Sequence, residues 1–134
     1  MPATPWVQRA RPAPGAQYLA MASRLPLQHH RSVPGFLRDA LFVQKQLAKS
    51  PGLVGYTLKA DIFSKTFWTF SVWETQSQLD AFARSEPHRS IIERLRPHMG
   101  ETRFEFFPVQ GATIPMKWAE VRARLSAGTS EEGS

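Results

Sequence analysis

The sequence predicts an α+β domain with the order strand, helix, strand, strand, helix, strand, followed by one added helix. Three observations predict it. Two β-rich runs adjoin across a short turn, two segments carry apolar residues at helical spacing, and 134 residues leave room for one compact domain. Hydrophobic residues make up 42% of the chain and charged residues 21%, as in folded soluble proteins.

The domain is expected to begin after a proline-rich stretch. Residues 1–16 contain four prolines and no apolar periodicity, which predicts a flexible arm with Trp6 as its only anchor. Residues 17–25 alternate as a strand does, and Ser32 then caps a helix that Pro51–Gly52 ends. The predicted buried stripe of this helix comprises Phe36, Leu37, Ala40, Leu41, Gln44 and Leu47.

Residues 53–61 and 65–73 are β-rich runs separated by a short turn, which predicts a hairpin. In the second run, Trp68, Phe70 and Val72 share one face, and Trp73 lies on the other with Phe67. Both faces are largely apolar. We therefore expect a central strand that is covered on both sides.

The second half of the domain opens on a capping box of Thr75 and Gln78. Pro87 is expected to break or restart the helix that follows. Residues 102–109 then predict a fourth strand, 115–125 a short helix and 127–134 a disordered tail. The folded domain is thus expected to span residues 17–126.

This order is the ferredoxin-like β-α-β-β-α-β arrangement with an extra C-terminal helix. Two helices cover one face of such a sheet, and no element of the chain is expected to cover the other. Because the central strand is apolar on both faces, the pattern predicts a homodimer whose two sheets pack against each other.

Composition excludes several classes of protein. The chain has no cysteine, so disulfides and thiol chemistry are ruled out. We expect no signal peptide and no membrane span, and therefore a cytoplasmic protein. The excess of basic residues in positions 1–60 comes without a nucleic-acid motif, so we expect an anionic small molecule before a nucleic acid. Hydrolase, kinase and nicotinamide motifs are absent.

The run FWTFSVWETQSQLDAFARSEPH, residues 67–88, resembles the antibiotic biosynthesis monooxygenase group of the dimeric α+β barrel superfamily. The preceding SPGLVGYTLKAD is similar to the second strand of that group. The resemblance covers residues 17–109 and looks most like an uncharacterised branch, related also to spheroidene monooxygenase-like proteins. It implies a dimeric barrel with a pocket between each sheet and its helices.

Some members of the superfamily oxygenate aromatic polyketides without metal or flavin, and others bind and degrade haem. The haem-degrading members carry an Asn on the first strand, a Trp in the second helix and an axial His. Here the first strand has no Asn, and Phe82 and Ile92 stand at the positions of the Trp and the His. The pattern therefore argues against haem degradation, and we expect no cofactor or metal, with haem binding kept as an alternative.

His88 is the predicted catalytic residue, as a general base or a ligand near pH 7. The alternative is a histidine that only hydrogen-bonds the backbone at a helix start. If the resemblance holds, His88 faces a substrate pocket. The residues predicted to shape that pocket are Trp68, Trp73, Phe82, Tyr18, Met21, Arg24 and Ile92.

Three functions remain open at this point. The first is a monooxygenase-like enzyme that oxidises an aromatic or polyene small molecule without a cofactor. The second is a non-enzymatic dimeric binding module for haem or another hydrophobic ligand, and the third is a structural or regulatory dimer with a collapsed pocket. Fold resemblance is the main support for oxygenation, and a fold does not fix function.

Overall fold

The computed structural model describes residues 5–133, and side chains as far as residue 125. The strands are β1 (Val7–Gln8), β2 (Gln17–Pro26), β3 (Leu53–Asp61), β4 (Thr66–Trp73) and β5 (Arg103–Gln110). The helices are α1 (Val33–Leu47), α2 (Gln76–Arg84), α3 (His88–Leu95) and α4 (Trp118–Gly133). Three short 3₁₀ turns occupy His30–Ser32, Arg96–His98 and Gly111–Thr113. The α+β class and the predicted order of elements are confirmed.

All five strands form one antiparallel sheet in the order β1-β3-β4-β2-β5. Strand β4 lies at its centre, and seven of its eight residues are buried. Its two faces belong to different layers, because successive side chains of a strand point to opposite sides. The prediction of a central strand that is covered on both sides is confirmed.

Helices α1, α2 and α3 cover one face of the sheet. Phe67 stacks on Phe36 of α1 with ring centroids 4.2 Å apart, and Trp73 packs against Phe82 of α2 at 5.3 Å. Helix α2 begins at the predicted cap, where the Thr75 side chain accepts a hydrogen bond from the Gln78 N–H at 3.2 Å. The predicted break at Pro87 separates α2 from α3.

Helix α4 covers the opposite face of the sheet, together with the N-terminal segment. Val121 and Leu125 of α4 are 1% and 4% exposed in the cluster that contains Trp68 and Phe70. The expectation that the chain has no element for this face is wrong. The residues that cover it belong to the helix predicted over 115–125, which had been assigned to no face of the sheet; in the structure this helix runs from Trp118 to Gly133.

The predicted arm contributes to the same layer. Val7 and Gln8 pair with β3, and the indole of Trp6 packs beside Phe70 with ring centroids 6.1 Å apart. The backbone N–H of Ala13 donates to the hydroxyl of Tyr18 at 2.8 Å. Residues 5–16 therefore lie along the sheet; residues 1–4 of the predicted arm and Ser134 of the predicted tail lie outside the described residues.

The buried stripe of α1 differs from the predicted one. Leu37 and Leu41 are 38% and 60% exposed, whereas Asp39 is 3% exposed. The helix is rotated so that Phe36, Asp39 and Val43, at i, i+3 and i+7, face the sheet. A carboxylate can occupy this stripe because a guanidinium pairs with it, as described below.

None of the helices in residues 5–133 combines the length and the apolar character needed to cross a bilayer.

Candidate functional site

A cavity of about 140 Å³ lies between the sheet and helices α1 and α3. Its walls are mostly apolar and include Met21, Phe82, Ile92 and Phe104. Phe104 is 48% exposed, which places the opening of the cavity beside the edge strand β5. A concave, mostly apolar space with a few polar groups is the usual form of a small-molecule site.

His88 lies in the wall of this cavity, at the start of α3. Its ring nitrogen Nδ1 is 3.0 Å from the carbonyl oxygen of Ala83. A carbonyl can only accept a hydrogen bond, so Nδ1 carries the proton and Nε2 has the free lone pair. Among the described residues, no hydrogen bond to Nε2 is formed. His88 therefore presents a base to the cavity.

Burial lowers the pKa of His88 below its ordinary value of 6.5, because the charged imidazolium loses its water. The hydrogen bond to Ala83 acts in the opposite direction and is the smaller effect. The ring of Phe82, with its centroid 4.8 Å from that of His88, supplies part of the apolar surroundings. The imidazole is thus neutral at pH 7 and able to accept a proton.

Gln46 of α1 fixes the position of His88. Its Oε1 accepts a hydrogen bond from the backbone N–H of His88 at 2.9 Å. Its Nε2 donates to the carbonyl oxygens of Phe82, at 3.0 Å, and Ser85, at 3.4 Å. One amide side chain thereby joins α1 to the turn between α2 and α3, and holds the histidine at the cavity wall.

A buried carboxylate also lines the cavity. The Oδ1 atom of Asp39 is 2.6 Å from Nη2 of Arg94 on α3 and 3.8 Å from Nη2 of Arg38. A carboxylate that is buried without such a partner would be costly, and Arg94 supplies the partner. The Asp39 oxygens give the cavity a hydrogen-bond acceptor for a hydroxyl or an N–H group.

Three strands add hydroxyl groups to the cavity floor. Ser71 accepts a hydrogen bond from Nε1 of Trp73 at 2.9 Å, which leaves its own hydroxyl proton free to point elsewhere. Ser23 and Thr69 share a hydrogen bond between their hydroxyls. Tyr56 lines the same cavity from β3. These groups can orient the oxygen atoms of a bound molecule.

The predicted site residues divide between the two faces of the sheet. Met21, Phe82, His88 and Ile92 line the cavity, and Trp73 packs behind its wall on Phe82.

Tyr18, Arg24 and Trp68 lie on the α4 face, because they alternate with the cavity-facing residues of β2 and β4. The structure does not bring these three together with His88, and Tyr56 is the phenol on the cavity side.

Sequence analysis missed Gln46 and Asp39, although a signal for both was present. Asp39 is the only acid in residues 1–60, and it stands at i+3 from Phe36 on the helix. Gln46 follows at i+3 from Val43 on the same stripe. A polar residue on the buried stripe of an amphipathic helix indicates either a buried partner or a site.

Within residues 5–125, no three His, Cys, Asp or Glu side chains come close enough together to hold a metal ion. The cavity of about 140 Å³ is smaller than the roughly 300–1,000 Å³ of typical cofactor pockets, so haem does not fit it in this conformation.

No protein-family model matches the chain, and a search of the curated proteins gives no match. Solved structures do match. A conserved protein from Methanosarcina mazei Go1 shares 15% identity at a TM-score of 0.60, over 67% of this chain and 90% of that one. A variant of SnoaB, a cofactor-independent oxygenase from Streptomyces nogalater, shares 16% identity at a TM-score of 0.60. The match covers 75% of this chain and 99% of that one.

An antibiotic biosynthesis monooxygenase structure shares 13% identity at a TM-score of 0.60, over 66% of this chain and 95% of that one. At these identities the likeness is one of fold. The resemblance read from residues 67–88 is confirmed at that level: the chain has the α+β fold of antibiotic biosynthesis monooxygenase-like proteins.

Proposed function

We propose that the protein is a monooxygenase-like enzyme that oxidises a small aromatic molecule with O₂ in the cavity beside His88, without a cofactor. The observation that carries the proposal is the free Nε2 of a neutral His88 in the wall of an apolar cavity. The fold shared with a cofactor-independent oxygenase supports the same reaction class.

The volume of the cavity limits the reacting part of the substrate. A dry cavity of about 150 Å³ holds one benzene molecule, so about 140 Å³ accommodates a single aromatic ring. Any further ring or substituent would extend past Phe104 towards solvent. This favours an aromatic substrate over an extended polyene.

The reaction that suits this site begins with removal of a proton from an acidic C–H or O–H group by Nε2 of His88. The resulting anion is electron-rich and reacts directly with O₂, so the substrate itself supplies the electrons. For an activated methylene carbon, one O₂ is consumed, the CH₂ group becomes a carbonyl group and one water is released. The apolar walls exclude bulk water while the anion exists.

The polar groups of the cavity have roles in this scheme. The Asp39 carboxylate can accept a hydrogen bond from a phenolic hydroxyl, and the Ser71 hydroxyl can donate one to an oxygen of the anion. Donors that are fixed in place before the reaction stabilise developing charge more effectively than water does. Asp39 and Ser71 are therefore proposed as substrate-orienting residues.

Oxygen uptake with an anthrone or a hydroquinone tests the proposal. His88→Ala should lower the rate by at least about a hundredfold, the usual contribution of a general base. His98→Ala is the matched control, because His98 lies in a 3₁₀ turn outside the cavity and its loss should leave the rate unchanged.

A binding module without catalysis is the alternative. It predicts that aromatic ligands bind and raise the melting temperature, while oxygen uptake does not exceed the spontaneous rate. His88→Ala should then change neither the ligand-induced rise in melting temperature nor the oxygen uptake.

We propose further that the protein is a homodimer. The subunits would meet at the edge of the sheet and not, as expected from the sequence, at the face that α4 covers. With α4 on the second face of the sheet, exposed apolar side chains remain on the edge strand β5, where Phe104 and Phe106 are 48% and 52% exposed. An unpaired edge strand with apolar side chains is a template for pairing with a second copy.

A further inference from the structure

Basic side chains form a row across the sheet on the face that α4 covers. In the strand register, Lys59 of β3 pairs with Trp68 of β4, Trp68 with Arg24 of β2, and Arg24 with Arg103 of β5. Paired residues of adjacent strands point to the same face, so three cations and one indole stand side by side. The row spans roughly 14 Å at the usual spacing of strands.

Helix α4 brings a fourth cation to this row. The guanidinium carbon of Arg122 lies 5.2 Å from the ring centroid of Trp68. Trp68 itself is 6% exposed, and the side chains of Lys59, Arg24 and Arg103 are half-buried. Three basic residues of the sheet and one of α4 therefore share the face opposite His88, with the buried indole of Trp68 among them.

Carboxylates only partly balance these cations. Glu101 pairs with Arg103 at 2.8 Å, and the carboxylate of Asp61 accepts hydrogen bonds from the backbone of its own turn. Glu105 lies on the same face of β5, two residues from Arg103. Among the described residues, neither Arg24 nor Lys59 has a carboxylate within 4 Å.

Arg24 stands directly opposite Arg103, and the carboxylate of Glu101 offsets the charge of Arg103 but not that of Arg24. Like charges on directly opposed residues destabilise an antiparallel pair, and partial burial weakens the screening by water. An anion among the four cations would remove this repulsion and accept hydrogen bonds from two guanidinium groups, which suit phosphate oxygens especially well.

We propose that Arg24, Lys59, Arg103 and Arg122 form a binding site for a small phosphorylated molecule, separate from the His88 cavity. The row crosses four strands and is bounded by Glu101, Glu105 and Asp61, so it matches a small molecule with one phosphate or diphosphate group. A nucleic-acid backbone would need a longer basic track without flanking acids.

Calorimetric titration of the full chain with inorganic pyrophosphate at low ionic strength tests this site. One binding site per chain is expected. Arg24→Gln and Lys59→Gln should each weaken binding at least about tenfold, as expected for the loss of a charged hydrogen bond. Arg89→Gln and Lys49→Gln are the matched controls, because they remove the same charges from exposed positions, in α3 and in the turn after α1, and should leave the affinity unchanged.

A thermal measurement separates ligand binding from a purely structural role. Without anion, Arg24→Gln should melt at the same temperature as the wild type or higher, since it removes the repulsion with Arg103. Pyrophosphate should raise the melting temperature of the wild type and of Lys49→Gln but not that of Arg24→Gln.

Three outcomes would overturn the assignment. They are no binding of pyrophosphate at millimolar concentration, equal binding by the wild type and by both Arg24→Gln and Lys59→Gln, or binding of oligonucleotides alone with a steep salt dependence. The first two would show that the row is a solvated surface. The third would assign it to nucleic acid.

Discussion

The backbone N–H of His88 donates a hydrogen bond to Oε1 of Gln46, 2.9 Å away and 42 residues earlier in the chain. The other end of the same amide donates to the carbonyl oxygen of Phe82 at 3.0 Å. The histidine and the aromatic residue beside it are therefore held by one side chain of a different helix. The geometry of the proposed base depends on α1 as much as on α3.

Gln46→Leu should loosen His88 without removing it. The substitution leaves the His88 N–H and the Phe82 carbonyl without their partner, which should lower the free energy of unfolding by about 1–3 kcal/mol. Proton NMR titration should show the pKa of His88 moving up towards its ordinary value of 6.5, because a displaced ring is better solvated.

The control for this effect is Gln76→Leu, which removes the bond from Nε2 of Gln76 to Oδ1 of Asp80 on the exposed side of α2. It should leave the His88 titration unchanged. An unaltered His88 titration in Gln46→Leu would show that Gln46 does not position the ring.

The stability of the protein should depend on pH through His88. Its folded-state pKa is lowered by burial, so below pH 6.5 the unfolded chain binds a proton more readily than the folded one. The free energy of unfolding should therefore fall as the pH decreases from 6.5 to the folded-state pKa. Above pH 6.5 the neutral His88 makes its full contribution to stability. Urea unfolding at a series of pH values measures it.

His88→Asn should flatten that part of the profile, since an amide does not titrate and its N–H₂ group can still donate to the Ala83 carbonyl. Equal slopes for the wild type and His88→Asn would mean that the pH dependence arises elsewhere.

The two tryptophans of β4 should respond differently to substitution by phenylalanine. Trp73→Phe removes the bond from Nε1 to Ser71 and part of the packing against Phe82, both of which shape the cavity wall. We expect a loss of about 1–3 kcal/mol in stability and a several-fold weaker binding of single-ring aromatic ligands. Ligand-induced thermal shifts measure the second effect.

Trp68→Phe is the natural comparison, since Trp68 is equally central but faces α4 and Arg122. It should cost stability while leaving the affinity for cavity ligands unchanged. If Trp68→Phe weakened ligand binding as much as Trp73→Phe, the division of site residues between two faces would be incorrect.

Local patterns were sufficient to predict most of the fold. The alternation in β4 and the capping box at Thr75 are short-range signals, and both are confirmed. The covering of the second face was not predictable in this way, because α4 meets Trp68 and Phe70 only through contacts distant in sequence. The same limit applies to Tyr18 and Arg24, which were assigned to the pocket by resemblance. Side chains alternate along β2, so these two lie on the face of the sheet opposite to that of Met21.

Gly55 should be essential for the docking of the N-terminal segment. A Cβ atom at this position would overlap the indole ring of Trp6, which packs directly on the glycine. Gly55→Ala should therefore displace residues 5–10 from the sheet and lower the stability of the protein. Limited trypsin digestion should then cleave after Arg9 faster than in the wild type, whereas Arg11 is protected in both by the proline that follows it.

Gly35→Ala is the matched control, because a Cβ atom at Gly35 in α1 meets no atom within 4 Å. Alanine is the better helix former, so this variant should gain about 0.5–1 kcal/mol and show unchanged proteolysis. Equal cleavage of Gly55→Ala and the wild type would show that Trp6 does not anchor the segment.

The proposed homodimer should depend on the exposed phenylalanines of β5. Phe106→Lys places a charge in the middle of the edge strand, where it would be buried if a second copy paired there, and lysine on an edge strand opposes pairing. Sedimentation velocity at micromolar concentration should show a dimer for the wild type and a monomer for Phe106→Lys. Phe63→Lys introduces the same charge at a hairpin tip that is 93% exposed, away from β5, and should remain dimeric. A wild-type protein that sediments as a monomer would mean that α4 and the N-terminal segment replace the second subunit, and that Phe104 and Phe106 serve only the mouth of the cavity.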